Sequence, residues 1–115
     1  MRDVRRVTRP VDRVVLITPT RDRPGAFRLC ERWMARQTRR ACEWVVVDDG
    51  DVPITPTLGQ IYQRMEPSKD TCTLQRNLIA GLEVAGAMRP DAILNIEDDD
   101  WYSPRYVELM AEELT

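Results

Sequence analysis

Three runs of mostly apolar residues, each continuous rather than alternating, stand out along the chain. They are RVVLIT at residues 13–18, WVVV at residues 44–47 and AILNI at residues 92–96. Short continuous runs of this kind are typical of strands that are covered on both faces of a sheet. The pattern therefore predicts three buried strands. A further segment, residues 58–65, fits either a short strand or a single helical turn.

Apolar residues at helical spacing fill much of the chain between and after these runs. Within residues 26–39 the side chains that recur at this spacing are Phe27, Cys30, Trp33 and Met34. Thr71 or Thr73 is suited to cap a second helix that runs to about Met88. The inner face predicted for this second helix consists of Leu74, Leu78, Leu82 and Ala85.

A third helix is predicted near the end of the sequence. Ser103 followed by Pro104 is typical of a helix start, with a cap residue before a proline in the first turn. The apolar stripe predicted for this helix consists of Val107, Met110, Ala111 and Leu114. Strands that alternate with helices predict an α/β domain with a mainly parallel sheet flanked by helices.

The expected organisation is one domain over residues 13–115, preceded by a flexible basic arm at residues 1–12. No apolar run approaches the roughly 20 residues that a membrane-spanning helix needs. No apolar signal core follows the basic N-terminus. We therefore expect no membrane span and a cytoplasmic location.

Polar side chains follow each predicted strand where it ends. They are Thr18, Thr20 and Arg21 after the first strand, Asp48 and Asp49 after the second, and Glu97, Asp98, Asp99 and Asp100 after the third. In open parallel sheets, ligands bind beyond the carboxyl ends of the strands. We therefore expect three loops to meet at one edge of the sheet, and two of them to bring carboxylates.

The four consecutive acidic residues at positions 97–100 need a counter-charge. Mg²⁺ and Mn²⁺ prefer oxygen ligands and commonly lie between one or two carboxylates and a substrate diphosphate. The chain has no histidine and its cysteines lack CxxC spacing, so a zinc site is not expected. The cluster favours a metal that bridges protein and diphosphate, with phosphate contacts from Arg21, Arg23 or Arg76. The alternative is a solvated loop whose charges stabilise the start of the next helix.

Other functional classes fit the sequence less well. The chain lacks the GxGxxG and GxxxxGK patterns of dinucleotide and P-loop sites, and it lacks the DxDxT pattern of aspartyl phosphatases. Residues 1–50 carry 12 arginines against 7 acidic residues, which suits an anionic ligand or simply a solvated helix face and a loose arm. Trp101 and Tyr102 suit either stacking on a sugar ring or base, or packing beneath the acidic loop.

Four segments carry motifs in a distinctive order: VVLITPTRDRPGAFRLCERWMARQT, EWVVVDDGD, LQRNLIAGLEVA and DAILNIEDDDWYSPRYVELM. A strand ends in Thr-Pro-Thr, a helix ends near Gln-Thr, and a second strand ends in Asp-Asp-Gly. An Arg-Asn pair on a helix follows, and then a DxD-type motif before an aromatic, a proline and a helix. Together these segments resemble the N-terminal half of the family 2 glycosyltransferases, which have a Rossmann-like GT-A fold. The chain departs from the pattern in having Glu97 where the motif usually begins with aspartate.

The resemblance implies a role for each matching residue. The residues that it assigns to donor binding are Thr18, Thr20, Arg21, Asp48, Arg76, Asn77, Glu97 and Asp98. Those that it assigns to binding Mn²⁺ or Mg²⁺ are Asp99, Glu97 and Asp100. Within the donor set, Thr18, Thr20 and Arg21 would line the base and ribose pocket, and Asp48 would hydrogen-bond the base. Arg76 would face the nucleotide side of the cleft.

The activity that the resemblance implies is glycosyl transfer, of the hexosyltransferase type, from a nucleotide-diphosphate sugar to an unknown hydroxyl acceptor. In the family, the acceptor site and the base of inverting members lie downstream of the DxD-type motif, and this sequence continues for only one predicted helix. We therefore expect an apparently truncated, donor-binding half whose acceptor half is missing or comes from a partner chain. Glu108, Glu112 and Glu113 are interpreted as the exposed face of the last helix, so no catalytic base is assigned. The alternative is a non-catalytic nucleotide-sugar-binding or interaction module, or a degenerate fragment.

Overall fold

The computed structural model describes residues 10–68 and 73–115. Most of the expected arm, together with Thr71 and Cys72, lies outside the described residues. Within the described part, Val11 is already buried in the core. The backbone amides of Asp12 and Arg13 both donate to Asp91 Oδ2, at 3.0 and 2.8 Å. These contacts hold the start of the described chain against the segment that leads into the last strand.

The described residues form an α/β domain in which a four-stranded, all-parallel sheet is flanked by three helices. The strands are β1 (Val14–Thr20), β2 (Glu43–Asp48), β3 (Ile61–Arg64) and β4 (Ala92–Asn95). The helices are α1 (Pro24–Ala35), α2 (Thr73–Gly86) and α3 (Tyr106–Leu114). The order across the sheet is β3-β2-β1-β4, and all three strand pairs are parallel. The structure confirms the predicted mainly parallel α/β architecture and resolves the ambiguous segment as the edge strand β3.

Side chains alternate across the pleated strands, so each face of the sheet has its own core. On one face, Leu16 and Val46 pack with residues of α1 and α3, including Phe27 and Val107. The opposite face uses residues such as Val45 and packs against α2. The buried residues of β1 and β2 explain why the runs are apolar without alternation. The continuous apolar pattern therefore correctly indicated strands that are covered on both faces.

The inner face predicted for α2 is wrong in part. Leu74 is 62% exposed and Leu82 is 48% exposed, although both were assigned to the core. The side of α2 that is buried consists of Thr73, Asn77, Gly81 and Ala85. A Cβ atom at Gly81 would lie 2.6 Å from Ile17 Cγ2, so the helix approaches β1 too closely for a side chain to fit there without a shift of its neighbours. Small residues allow this close approach, and it turns the larger leucines outward.

The apolar stripe predicted for α3 is correct at Val107 and Ala111 and wrong at Leu114. Val107 and Ala111 are buried, whereas Leu114 is 52% exposed. The buried side chain of Gln37 joins α3 to the segment after α1, because its Oε1 accepts a 3.0 Å hydrogen bond from the Val107 amide. Among the helices that the structure describes, none has the length and apolar character to span a membrane.

Candidate functional site

The carboxyl ends of β1, β2 and β4 open onto one cleft with a volume of about 360 Å³. The predicted site residues that line it are Thr20, Arg21, Asn77, Glu97, Asp98 and Asp99. Because the three strands are parallel neighbours, the loops that follow them leave the sheet at the same edge. The expected meeting of three polar loops is therefore present in the fold.

Asp98 is the fixed point of the acidic loop. Its side chain is only 6% exposed, and its Oδ2 accepts a 2.6 Å hydrogen bond from the hydroxyl of Thr20 at the end of β1. Its Oδ1 lies 3.4 Å from Arg23 Nη1. A buried carboxylate needs such partners, because an unpaired charge in the interior is costly. These contacts fix the position of Asp98, from which the exposed residues on either side project.

Asp49 is a second buried carboxylate on the cleft, and it lies between two arginines. Its side chain is 1% exposed, and its Oδ2 is 3.9 Å from Arg21 Nη1 and 3.4 Å from Arg76 Nη2. Arg21 also donates to the hydroxyl of Thr73 at 3.3 Å. Arg76 donates through Nε to Asn77 Oδ1 at 3.1 Å. The arrangement holds the guanidinium of Arg21 on the cleft and that of Arg76 against the buried carboxylate of Asp49.

Glu97, Asp99 and Asp100 form an exposed acidic trio beside Asp98. One carboxylate oxygen from each of the three lies within 4.8 Å of the others. A hydrogen bond with Asp100 raises the pKa of Glu97, and the charges of Asp100, Asp99 and Asp98 raise it further, together with a contribution from burial. The raised pKa reflects repulsion between neighbouring carboxylates, which a bound cation would relieve.

The donor atoms of this trio suit a hard divalent cation. Exposed carboxylate oxygens leave coordination positions open for water and phosphate, which is how Mg²⁺ and Mn²⁺ are usually held. The lining of the cleft in the described residues contains four carboxylates, from Asp49, Glu97, Asp98 and Asp99, against the two guanidinium groups of Arg21 and Arg23. The excess of negative charge fits the binding of a cation at this edge of the sheet.

Four predicted site residues are not among those that line the cleft, namely Thr18, Asp48, Arg76 and Asp100. Arg76 and Asp100 adjoin it through Asp49 and Glu97, whereas Thr18 and Asp48 lie in the interior. Thr18 is fully buried, and its Oγ1 accepts a 2.8 Å hydrogen bond from Trp44 Nε1. Asp48 is also fully buried, and its carboxylate accepts hydrogen bonds from the Gly50 amide at 2.9 Å and from the Tyr62 hydroxyl at 2.6 Å. Neither residue is among those that line the cleft. Their contacts stabilise the sheet and the loop after β2.

The adjacent aromatic residues after the acidic loop have separate positions. Tyr102 is buried, and its hydroxyl accepts a 2.8 Å hydrogen bond from the Glu97 amide, so it supports the loop from below. Trp101 is 64% exposed. The guanidinium of Arg36 lies 4.4 Å from the ring centre of Trp33 and 5.9 Å from that of Trp101. The packing interpretation therefore holds for Tyr102 and not for Trp101.

The site assigned from the sequence omits three polar residues that line the cleft, Asp49, Thr73 and Asn95. The sequence indicated Arg23 only as one of three arginines for phosphate contact. Alternation along β2 predicts that Asp48 and Asp49 point to opposite sides, but it does not tell which of the two faces the cleft. For Thr73, the sequence indicated only a role as a helix cap.

A scan against protein-family models matches no family, and a search of curated proteins finds no match either. The function must therefore be inferred from the cleft and from the motifs of the chain.

Proposed function

We propose that the chain is a glycosyltransferase of the GT-A fold, or its donor-binding portion, that uses a nucleotide-diphosphate sugar together with Mn²⁺ or Mg²⁺. The observation that carries the proposal is the meeting of guanidinium and carboxylate groups on one cleft at the carboxyl edge of a parallel sheet. Arg21 and Arg23 line that cleft together with Glu97, Asp98 and Asp99. A diphosphate needs positive charge from the protein, and a metal that it shares with the protein needs carboxylates.

The acidic trio would hold the metal. Asp99, Glu97 and Asp100 supply oxygen atoms close enough together to share one ion. When bound, a divalent cation neutralises charge that develops on a departing diphosphate. Asp98 would act from within the protein, because its buried contacts with Thr20 and Arg23 fix the loop on which the trio lies.

The guanidinium groups of Arg21 and Arg76 would bind the phosphates from the opposite side. Both lie against the buried carboxylate of Asp49, so their positions are set before a ligand arrives. Pre-positioned charged groups lose less conformational entropy on binding than free side chains do. In the complete reaction, an acceptor hydroxyl attacks the anomeric carbon, and the bond from that carbon to the diphosphate oxygen breaks. The donor-binding residues serve the leaving-group side of this displacement.

Calorimetric titration with UDP-, GDP- and dTDP-sugars, with and without Mn²⁺, tests the proposal. We expect at least one donor to bind in the presence of Mn²⁺ and its affinity to fall about tenfold or more when EDTA removes the ion. The matched nucleoside monophosphate, which lacks the second phosphate, should bind more weakly under the same conditions. An absence of metal-dependent binding with every donor would refute the proposal.

Turnover separates an enzyme from a binding module. The nucleoside diphosphate released from the bound donor can be measured with water alone and with simple sugar acceptors. Release that depends on Mn²⁺ supports a transferase. Tight, metal-dependent binding without any release is the result expected of the donor-binding portion alone or of a non-catalytic nucleotide-sugar-binding module.

A further inference from the structure

Arg23 bridges two neighbouring carboxylates of the acidic loop. Its Nη1 lies 3.4 Å from Asp98 Oδ1 and 3.2 Å from Asp99 Oδ2. The residue immediately precedes α1, and its backbone carbonyl accepts a 2.9 Å hydrogen bond from the Phe27 amide. Its backbone is therefore held by the helix, while its long side chain crosses the cleft to the loop after β4.

The two ends of this bridge differ in strength. Asp98 is buried and also accepts the Thr20 hydroxyl, so it stays in place whatever Arg23 does. The side chains of Arg23 and Asp99 are 54% and 55% exposed. Ion pairs this exposed contribute little free energy and exchange readily. The contact of Arg23 with Asp99 is therefore the one that a competing cation can break.

Asp99 is also a member of the acidic trio with Glu97 and Asp100. A divalent cation held by that trio and the guanidinium of Arg23 would both draw on the Asp99 carboxylate. The two positive groups would also repel each other, because both would lie against the same carboxylate. Occupancy of the trio and the contact between Arg23 and Asp99 therefore oppose each other.

We propose that Arg23 is an internal counter-ion which the divalent cation displaces from Asp99, so that the guanidinium is released to bind the donor diphosphate. The inference rests on the proposed function and adds a coupling between metal and donor binding to it. Arg23 weakens metal binding while the cleft is empty and strengthens donor binding once the metal is present. Asp98 holds the side chain near the cleft during this exchange.

Arg23→Gln separates the two effects because they have opposite signs. With no nucleotide present, we expect the variant to bind Mn²⁺ about fivefold more tightly than the wild type, measured from the electron paramagnetic resonance signal of free Mn²⁺. At saturating Mn²⁺, we expect it to bind the preferred nucleoside diphosphate, among UDP, GDP and dTDP, about tenfold more weakly in calorimetry. A purely structural role for Arg23 would weaken both.

Two further variants complete the experiment. Arg32→Gln makes the same change of charge at an exposed position of α1, and it should leave both affinities near the wild-type values. Arg23→Lys keeps a cation that competes for Asp99, so its Mn²⁺ affinity should stay near that of the wild type, even if the glutamine variant fails to fold. If the wild type binds Mn²⁺, either of two results overturns the counter-ion role. The first is unchanged or weaker Mn²⁺ binding by folded Arg23→Gln, and the second is tighter Mn²⁺ binding by Arg23→Lys. Failure of the wild type to bind Mn²⁺ without nucleotide overturns the counter-ion role alone, whereas failure to bind any donor in the presence of Mn²⁺ overturns the proposed function as well.

Discussion

The hydroxyl of Thr20 donates a 2.6 Å hydrogen bond to Asp98 Oδ2, and this contact joins the end of β1 to the acidic loop after β4. Both side chains are buried. The two residues are 78 positions apart in the sequence, and the parallel pairing of β1 with β4 brings them together. The contact positions the acidic loop over the edge of the sheet, because it holds the one loop carboxylate that faces inward.

Replacement of Thr20 by valine removes this donor and leaves the Asp98 carboxylate with fewer partners. Because a buried acceptor that loses its partner costs about 1–3 kcal/mol, we expect the free energy of unfolding to fall by that amount in urea denaturation. Thr55→Val makes the same chemical change at an exposed threonine and should have little effect. Equal stability of the Thr20 and Thr55 variants would show that the hydrogen bond does not support the loop.

Glycine at position 81 is required by the close contact of α2 with the sheet. The Cβ of an alanine would meet Ile17 Cγ2 at 2.6 Å and Val47 Cγ2 at 3.3 Å. We expect Gly81→Ala to destabilise the domain by about 1–3 kcal/mol, since overpacking outweighs the roughly 1 kcal/mol that alanine gains in a helix.

Gly86→Ala is the matched control in the same helix. Apart from its chain neighbours and the backbone of its own helix, no atom of the described residues lies within 4 Å of its added Cβ, so the substitution should be neutral or stabilise the domain by up to about 1 kcal/mol. Thermal unfolding of both variants tests the pair of expectations. A stabilised Gly81→Ala variant would mean that α2 does not approach β1 as closely as described.

The strands and the sheet edge at which their loops meet were predictable, because a strand that is buried on both faces has a continuous apolar sequence. Continuous apolar runs such as residues 44–47 need no knowledge of the tertiary structure to be recognised. The acidic residues after β4 were likewise visible, because their position follows from the end of the strand. These features depend on one segment at a time.

The features that could not be predicted depend on distances between segments. Leu74 and Leu82 have the spacing of an inner face, but the close approach at Gly81 selects the small side of α2 instead. The choice between Asp48 and Asp49 depends on which way the last residue of β2 points, and this was not fixed by the apolar pattern. The bridge from Arg23 to the acidic loop depends on how far a long side chain reaches across the cleft.

Cys30 should make the stability of the domain sensitive to alkaline pH. Burial, followed by the charges of Asp98 and Glu31, raises the pKa of this thiol from 9.0 to about 12. The folded state disfavours the thiolate, so the contribution of the thiol to stability is complete below pH 9 and is lost as the pH rises from 9 through about 12.

The measurement is the free energy of unfolding in urea at about pH 8 and about pH 10.5. We expect the free energy of unfolding to fall as the pH rises in the wild type, and to fall less steeply in Cys30→Ala. The small cavity in the variant lowers its stability at both pH values, so the comparison is between slopes. Cys42→Ala removes an exposed thiol and should keep the wild-type slope. Parallel slopes for all three proteins would contradict the expectation.

Asp99→Asn tests the metal ligand that the trio and the DxD-type motif have in common. The side chain is 55% exposed, so we expect the unfolding free energy to stay within about 0.5 kcal/mol of the wild-type value. Loss of the ligand charge should weaken Mn²⁺ binding by about tenfold or more and remove the Mn²⁺ dependence of nucleotide binding in calorimetry.

Asp51→Asn is the control for the change in net charge. It removes one negative charge from an exposed loop position after β2 and should preserve the Mn²⁺ dependence of nucleotide binding. Wild-type Mn²⁺ dependence in a folded Asp99→Asn variant would remove Asp99 from the metal site, and with it the competition that gives Arg23 its proposed role.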